Sequence, residues 1–393
     1  MSNFNNIVDQ IKELIKNQKI EWKSLWEITI WNKRFRNVEK NKQKEILKCF
    51  SVSSNDLNNI QQDQNGDIKL LSTKKNDQRF TSEQFCKNFN VDEVISIPEG
   101  GDANIKYTNG KFVNSLNLLC KSYDNKKVNL KFVYYYLVCN NFLIINQYKG
   151  SAIKHPQMDK ILEIQIPIPP IDIQNKIVEI LDNFSNYETE LETELETRTK
   201  QYNYYLNKLL DFSNSSDVEW KEMKDICEIR RGERITKKQL IDNGKYNVIS
   251  GGKDIFGKYN RYNRDENTIS ICQYGTAGYI DLQKEKYWAN DVSYSIHPKD
   301  LKYISNKFLY YSLINKQKEI YNLTTKAIPD CLPKEKLQKI QIPIPPLETQ
   351  NKIVEILDNF SSLVNDIKDG LPKEIQLRKK QYNYYLNKLL EFK

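Results

Sequence analysis

Arginine, lysine, glutamine and glycine residues are concentrated in the predicted loops of the second half of the chain, and they suit nucleic-acid recognition. Arginine can donate two hydrogen bonds to guanine and glutamine can pair with adenine, whereas lysine and backbone N–H groups bind phosphates. The pattern favours a nucleic-acid ligand, although a solvated basic face explains any single residue equally well. The candidates are Arg230, Arg231, Arg234, Gly251, Gly252, Lys253, Gln273, Tyr274, Thr276 and Lys326.

The first half of the chain carries a similar but less regular set of basic residues. His155, which precedes Pro156, could hydrogen-bond a phosphate or a base, but a lone histidine is more often structural. The candidates are Lys33, Arg34, Arg36, Lys149, Ser151, Lys154 and His155.

The composition argues against several other kinds of protein. The chain has 393 residues and a net charge of +9, which permits a polyanionic partner without proving one. Seven cysteines without a Cys-x-x-Cys pair, and two histidines, argue against a disulfide scaffold and a metal centre and fit a reducing cytoplasm. No stretch approaches the ~20 apolar residues of a membrane span, and residues 1–19 lack the apolar core of a signal peptide.

The most informative feature is an internal duplication. The segment IQIPIPP at residues 164–170 recurs at 340–346, and QNKIVEILDNFS at 174–185 recurs at 350–361. Likewise QYNYYLNKLL at 201–210 recurs at 381–390, and Glu-Trp-Lys at 21–23 recurs at 219–221. Between these matches the two halves share little sequence. The duplication predicts variable modules on a repeated constant frame.

The duplication also predicts domain boundaries. We expect an N-terminal helical segment at 1–19 and variable domains at 20–163 and 217–339. Constant helical segments should occupy 164–216 and 340–393. Each constant segment opens with a short strand that Pro169-Pro170 or its copy ends, and Asp172 is a candidate helix cap.

Apolar residues recur at spacings of three and four along both constant segments, which is typical of a coiled coil. A tandem Thr-Glu-Leu-Glu repeat at 189–196 inserts a stutter, and Gly370 and Pro372 should interrupt the second helix. An intramolecular antiparallel pair would place the modules at opposite ends, related by a pseudo-two-fold axis; a homodimeric coiled coil is the alternative. The predicted seam residues are Ile177, Ile180, Phe184, Leu191, Leu195, Ile353, Ile356, Phe360, Leu363 and Ile367.

The variable domains read as mixed α/β modules, so the fold class is α+β. Strands are predicted at 246–250, 268–272 and 292–296, with glycine-bearing loops between them. Helical stretches at 132–143 and 308–314 should pack on each sheet, and the polar residues 51–77 read as a long loop.

The duplicated segments resemble the specificity subunits of type I restriction–modification systems. The resemblance rests on IPIPPxxxQxxIVxxLD at 166–182 and 342–358, on the QYNYYLNKLL, TELE and EWK repeats, and on Ser250-Gly251-Gly252 with Gly275-Thr276-Ala277-Gly278-Tyr279. It covers essentially the whole chain. It implies that each variable domain reads one half of a split site in double-stranded DNA, and that the helices set the gap.

The same resemblance assigns catalysis to partner subunits. Two modification subunits, which are adenine methyltransferases that bind S-adenosylmethionine, would dock on the helices, and restriction (motor) subunits that use ATP and Mg²⁺ would cleave DNA. The chain itself is expected to bind no cofactor. It contains no methyltransferase Pro-Pro-aromatic motif and no GxxxxGK[ST] phosphate loop.

Other functions remain open at the level of sequence. An orphan or silent two-headed DNA-binding protein would lack a methyltransferase partner, and a two-headed adaptor for proteins would show no salt-dependent DNA binding. Asp9 with Glu21-Trp22-Lys23 loosely fits a metal-dependent nuclease. Glu219-Trp220-Lys221 repeats that motif at the start of the second module, so a structural boundary motif explains both copies.

Overall fold

The computed structural model describes residue 13 and residues 20–325, 328–365 and 370–392. The predicted helical segment at 1–19, apart from residue 13, and the predicted site and seam residues Lys326 and Ile367 lie outside the described residues. The chain divides into two compact units, one formed by Met1–Glu190 with Gln376–Lys393 and the other by Leu191–Ile375. Each unit combines one variable domain with parts of both constant segments.

A six-stranded sheet forms the centre of the first unit, in the order β2-β7-β5-β6-β3-β4. All of its pairs are antiparallel except β3 with β6. Two small ladders, β1-β10 and β8-β9, complete the unit. The strands are β1 (Glu21–Ser24), β2 (Thr29–Trp31), β3 (Ile68–Leu71), β4 (Phe80–Thr81), β5 (Asn90–Pro98), β6 (Lys106–Asn114), β7 (Asn117–Ser122), β8 (Tyr148–Lys149), β9 (His155–Pro156) and β10 (Gln165–Ile168).

Helices cover this sheet and lead into the constant segment. Helix α3 packs against β5 and β6, and Phe132 and Val133 of its apolar face are fully buried. The helices are α1 (Leu25–Ile28), α2 (Ser54–Asn59), α3 (Leu130–Cys139), α4 (Phe142–Ile145), α5 (Met158–Ile161) and the long α6 (Ile171–Leu209), which continues into the second unit.

The second unit has a smaller variable domain with two sheets, ordered β12-β18-β15-β16 and β14-β13-β17. The strands predicted at 246–250, 268–272 and 292–296 are confirmed as β13, β15 and β18. The strands are β11 (Glu219–Glu222), β12 (Cys227–Arg231), β13 (Tyr246–Ile249), β14 (Gly257–Tyr259), β15 (Thr268–Cys272), β16 (Ile280–Gln283), β17 (Tyr287–Ala289), β18 (Ser293–Pro298) and β19 (Gln341–Ile344). The helices are α7 (Met223–Ile226), α8 (Asn306–Asn315), α9 (Gln317–Asn322), α10 (Lys334–Leu337), α11 (Leu347–Asn365) and α12 (Leu371–Leu390), the last of which lies mostly in the first unit.

The repeated sequence motifs form the same small ladder in both units. In the first unit β1 pairs antiparallel with β10, Trp22 facing Pro167. In the second unit β11 pairs with β19, and Trp220 faces Pro343 in the same register. Each variable domain therefore begins and ends on adjacent strands, which brings its two ends together at the start of a constant helix.

Helices from the two constant segments pair inside each unit, as the duplication predicts. In the first unit the ring of Phe184 stacks on Tyr385 at 5.0 Å, and Glu188 forms an ion pair with Lys379 at 3.4 Å. The partner number falls as the α6 number rises, so α6 and α12 run antiparallel. The equivalent stack in the second unit joins Tyr205 of α6 to Phe360 of α11 at 5.1 Å. The second constant segment is split, with α11 ending at Asn365 and α12 beginning at Leu371.

The predicted seam of the second constant segment holds at Ile353, which is buried, and at Phe360, which packs against Tyr205, but it is wrong by one residue at two other positions. Ile356 and Leu363 are 40% and 37% exposed, whereas Leu357 and Val364 are buried in the core of the second unit. Apolar residues occupy both adjacent positions, so sequence periodicity does not separate them. Helix α11 must face α8 as well as α6, and this added contact selects the buried face. In the first constant segment Ile177, Ile180 and Phe184 are buried as predicted, whereas Leu191 and Leu195 are half-buried.

Two further predictions need correction. The polar stretch 51–77 contains α2 and β3, whose Leu57, Ile68 and Leu70 are fully buried, because a few apolar side chains suffice to anchor short elements in a core. Asp172 does not cap α6. The helix begins one residue earlier, and the Pro170 carbonyl accepts hydrogen bonds from the N–H groups of Ile173 and Gln174.

Candidate nucleic-acid interface

The ends of several strands bring the predicted loops of the second unit together. Arg231 is the last residue of β12, Gly251 follows β13, and Gln273 follows β15. The Arg231 guanidinium donates to the Asp291 carbonyl at 2.7 Å, just before β18. Loop residues that are distant in sequence thus share one surface, as a DNA-reading site requires.

This surface needs glycine because the backbone at Gly251 packs directly against the backbone of residues 274–276. The Gly251 carbonyl accepts hydrogen bonds from the N–H and the hydroxyl of Thr276, at 2.8 and 3.0 Å. A Cβ added at Gly251 would lie 2.5 Å from the Tyr274 carbonyl oxygen. Gly275 has a φ of +77°, a conformation that favours glycine. The glycines therefore shape the site, and exposed Lys253 and Thr276 lie beside them.

Gln273 and Tyr274 are held by their backbones, and the Gln273 side chain offers a free acceptor. Both N–H groups donate to the Val292 carbonyl, at 2.9 and 3.3 Å. The Gln273 side chain is largely buried, and its Oε1 atom has no hydrogen-bond partner among the described residues. A buried unpaired acceptor is costly unless a ligand or water satisfies it.

Arg230 lies apart from these loops. Its side chain is on the outer face of the four-stranded sheet and forms an ion pair with Glu228 at 2.5 Å. Successive side chains of a strand point to opposite faces, so neighbours in sequence are separated. Arg234 is exposed, and the residues on either side of it bond to Ala289 and Asn290. Arg264 is engaged within the unit, donating to Ser295, Asn263 and Arg231.

His297 lies on the same sheet face as Arg230. Burial, and then the charges of Arg230 and Arg264, lower the pKa of His297 from 6.5 to about 4. Its Nε2 lies 3.0 Å from the Ser295 hydroxyl. The chain has one other histidine, His155, which is exposed.

We expect the stability of the second unit to fall as the pH drops from 7.5 to 5. Because the pKa of His297 is lower in the folded state, the unfolded chain binds the proton first, and stability present above pH 6.5 is lost toward pH 4. Since the imidazole is only partly buried, the loss should be about 1 kcal/mol, or roughly 2–4 °C in melting temperature. His297→Gln should flatten this slope in thermal melts. A slope that instead disappears with His155→Gln would contradict the assignment.

In the first unit the predicted residues gather around Glu99. The Lys33 ammonium pairs with the Glu99 carboxylate at 2.8 Å, and His155 Nδ1 lies 2.8 Å from the Glu99 carbonyl oxygen. The N–H of Gly101 donates to the Lys154 carbonyl at 2.8 Å. The loop after β2, the loop after β5 and the β8-β9 hairpin therefore meet at one place.

The β8-β9 hairpin presents Lys149, Ser151 and Lys154, all exposed. Its turn depends on Gly150, which has a φ of +143° and would place a Cβ 2.3 Å from the Ile153 carbonyl oxygen. The Tyr148 hydroxyl ties the hairpin to the Pro98 carbonyl at 2.7 Å. Arg34 and Arg36 are exposed in the loop that follows Lys33.

Sequence reasoning missed a second loop of the first unit, at residues 72–77. The buried Lys106 ammonium bonds to the carbonyls of Ser72 and Lys74, and Asn104 donates to the Thr73 carbonyl at 2.9 Å. Burial lowers the pKa of Lys106 to about 8. Lys106 thus orders a loop in which Lys74 and Lys75 are both exposed, and no sequence periodicity signals that role.

The described residues contain no cluster of three or more histidine, cysteine or acidic residues that could hold a metal ion. In the same part of the chain no helix is long and apolar enough to cross a membrane.

Comparison with known proteins gives concordant matches. A family model for the type I restriction modification DNA specificity domain matches residues 36–201 and again 215–377. The specificity subunit of EcoR124I/EcoR124II from Escherichia coli is 31% identical over 72% of this chain and 76% of its own length. A putative type I specificity subunit of Haemophilus influenzae is 29% identical over 97% of this chain and 98% of its own. The S subunit structure from M. genitalium has the same fold, with a TM-score of 0.71 over 96% of this chain and 97% of that one, at 19% identity.

Proposed function

Because the chain belongs to the family of type I restriction–modification DNA specificity subunits, we propose that each of its variable domains reads one half of a bipartite, gapped site in double-stranded DNA. One observation carries this proposal: both units repeat the same strand ladder and helix pair, yet the loops at their strand ends differ. A shared frame with different loops suits two half-sites of different sequence. We assign the reading domains to residues 20–163 and 217–339.

The loops at the strand ends of each unit are the parts that would contact the DNA bases directly. In the second unit these residues are Arg231, Arg234, Lys253, Gln273, Tyr274 and Thr276, on loops whose shape depends on Gly251 and Gly275. In the first unit they are Lys33, Arg34, Arg36, Lys149, Ser151, Lys154 and His155. Lysine and arginine contacts to phosphates position such domains, whereas arginine and glutamine side chains can recognise base edges. Lys326 stays a sequence-based candidate, and Arg230 has the least support because its side chain lies on the outer face of the four-stranded sheet, apart from these loops.

The constant segments 164–216 and 340–393 would set the gap and carry the partners. Catalysis lies in the other subunits of the type I system, so this chain supplies specificity. We propose that two modification subunits dock on the constant segments and methylate adenine with S-adenosylmethionine, and that restriction subunits use ATP and Mg²⁺. Acting on genomic DNA implies a cytoplasmic location.

Single-molecule sequencing of modified adenines tests the function directly. Genomic DNA from the source organism would be compared with DNA from a strain that lacks this gene and from a complemented strain. A gapped two-part motif that disappears on deletion and returns on complementation is the expected result. An unchanged modification pattern would favour the orphan or silent protein. If the purified chain then showed no salt-dependent DNA binding either, the proposed DNA-reading function would be wrong.

A further inference from the structure

Two side chains of the first constant helix hold the variable domain of the first unit. Gln174 is fully buried, and its side chain accepts from the Asn129 N–H at 2.9 Å and donates to the Lys127 and Pro169 carbonyls at 2.9 and 2.7 Å. Two turns later, the Asp182 carboxylate accepts from the Lys131 ammonium at 2.7 Å and the Tyr135 hydroxyl at 2.5 Å.

The second unit repeats this arrangement atom for atom. Gln350 is also fully buried, accepts from the Ser305 N–H at 2.9 Å, and donates to the Tyr303 and Pro345 carbonyls at 3.0 and 2.9 Å. Asp358 accepts from the Lys307 ammonium at 2.5 Å and from the Tyr311 hydroxyl at 2.6 Å.

The variable domains preserve their side of these contacts although they otherwise differ. Residues 131–137 read KFVYYYL and residues 307–313 read KFLYYSL, so the lysine and the bonded tyrosine recur on α3 and α8. Buried apolar residues would be enough to pack a helix on a sheet. A lysine and a hydroxyl aimed at one carboxylate add directional, charge-assisted hydrogen bonds.

We propose that Asp182 and Asp358 are positioning residues which, with Gln174 and Gln350, fix the orientation of each DNA-reading domain on its constant helix. This inference rests on the proposed function. The glutamine and the aspartate attach the domain at two points about 12 Å apart along the helix, since eight residues rise ~1.5 Å each. Two attachments prevent the pivoting that one would allow.

These contacts also determine which variable domains can pack on a constant helix. The glutamine bonds only to backbone groups, so it places no demand on the side chains of the variable domain. The aspartate requires a lysine and a tyrosine four residues apart on the first helix turns of the domain. A reading domain with that pair fits the frame whatever its loops recognise.

The test compares Asp182→Ala with Glu179→Ala in the full chain. Glu179 is exposed on the same helix and loses the same charge. Binding would be measured on duplexes that carry both half-sites, with the gap at its native length or changed by one base pair. Asp182→Ala should reduce discrimination between these gaps about tenfold, as expected for loss of hydrogen bonds to a charged group. Base preference within each half-site should not change, and Glu179→Ala should match the wild-type chain.

A double-mutant cycle identifies the contact responsible. Lys131→Ala combined with Asp182→Ala should lose no more gap discrimination than Asp182→Ala alone, because both remove one interaction. Asp358→Ala, with Glu355→Ala as its control, should act equivalently on the second half-site. If Asp182→Ala lowers the melting temperature but keeps wild-type gap discrimination, the contact is only structural and the proposal is wrong. Failure of the wild-type chain to bind any gapped site would instead overturn the proposed function, and the positioning role with it.

Discussion

Deletion of residues 193–196, one copy of the Thr-Glu-Leu-Glu repeat, is expected to change the preferred gap by one or two base pairs. Removing four helical residues shortens α6 by ~6 Å, and neighbouring base pairs are ~3.4 Å apart. Binding to the original site should fall about 100-fold or more, because a misplaced half-site loses its base contacts and specific binding is ~10³–10⁷ tighter than non-specific binding. Both half-site sequences should stay the same.

The helix itself should tolerate the deletion. Glu194 and Glu196, which pair with Arg198 and Lys200 at 2.7 Å on the surface, would be removed. Glu190 and Glu192 of the remaining copy would then stand four residues before the same two partners and replace them, and such pairs contribute only about 0–1 kcal/mol. Leu191 would then precede Tyr202 by the seven-residue interval of a regular coiled coil. The measurement is modified-adenine mapping, with Thr193→Ala as a variant of unchanged length. A changed half-site sequence, or an unchanged gap, would contradict the spacer role of the helix.

Gly251→Ala should abolish recognition by the second unit alone. The new Cβ would meet the Tyr274 carbonyl oxygen at 2.5 Å, and backbone cannot yield as a flexible side chain does. The loop that carries Gln273, Tyr274 and Thr276 must therefore move. Overpacking of this kind costs roughly 1–3 kcal/mol, and we expect binding to the full site to fall about 10–100-fold.

The neighbouring glycine provides a matched control. A Cβ at Gly252 would meet nothing closer than 3.9 Å, so Gly252→Ala should bind DNA like the wild-type chain. Affinity would be measured by fluorescence anisotropy on the intact site and on a site with its second half scrambled. Gly251→Ala should match the wild-type chain on the scrambled site. Equal binding of the intact site by both alanine variants would exclude these loops from the DNA interface.

Local pattern predicted the elements of the frame well. The duplicated motifs predicted the strand β10, the long helix α6 and the interruption before α12. Helix and strand periodicity can be recognised from residues that are close in sequence. The strands β13, β15 and β18 followed from the same kind of signal. The family resemblance rested on these segments and was confirmed by the family model.

Contacts between distant residues were not predictable in the same way. Periodicity could not choose between Ile356 and Leu357, since the helix can turn either residue toward a core. It also placed Arg230 with Arg231, which the strand pleat separates. The lysine and tyrosine of α3 that bond Asp182 recur on α8 in the sequence. Their hydrogen bonds to the constant helix, however, are seen only in the packed structure.

The sequence by itself determined the duplicated architecture, the long constant helices and the family, because these depend on repeats and on short-range periodicity. The tertiary structure alone decided which loops share a surface, which residue of each adjacent apolar pair is buried, and how each variable domain is attached to its helix. Those features depend on hydrogen bonds and packing between residues far apart in the chain. The close approach of Gly251 to Tyr274 and the hydrogen bond between Gln174 and Asn129 are two examples of such contacts.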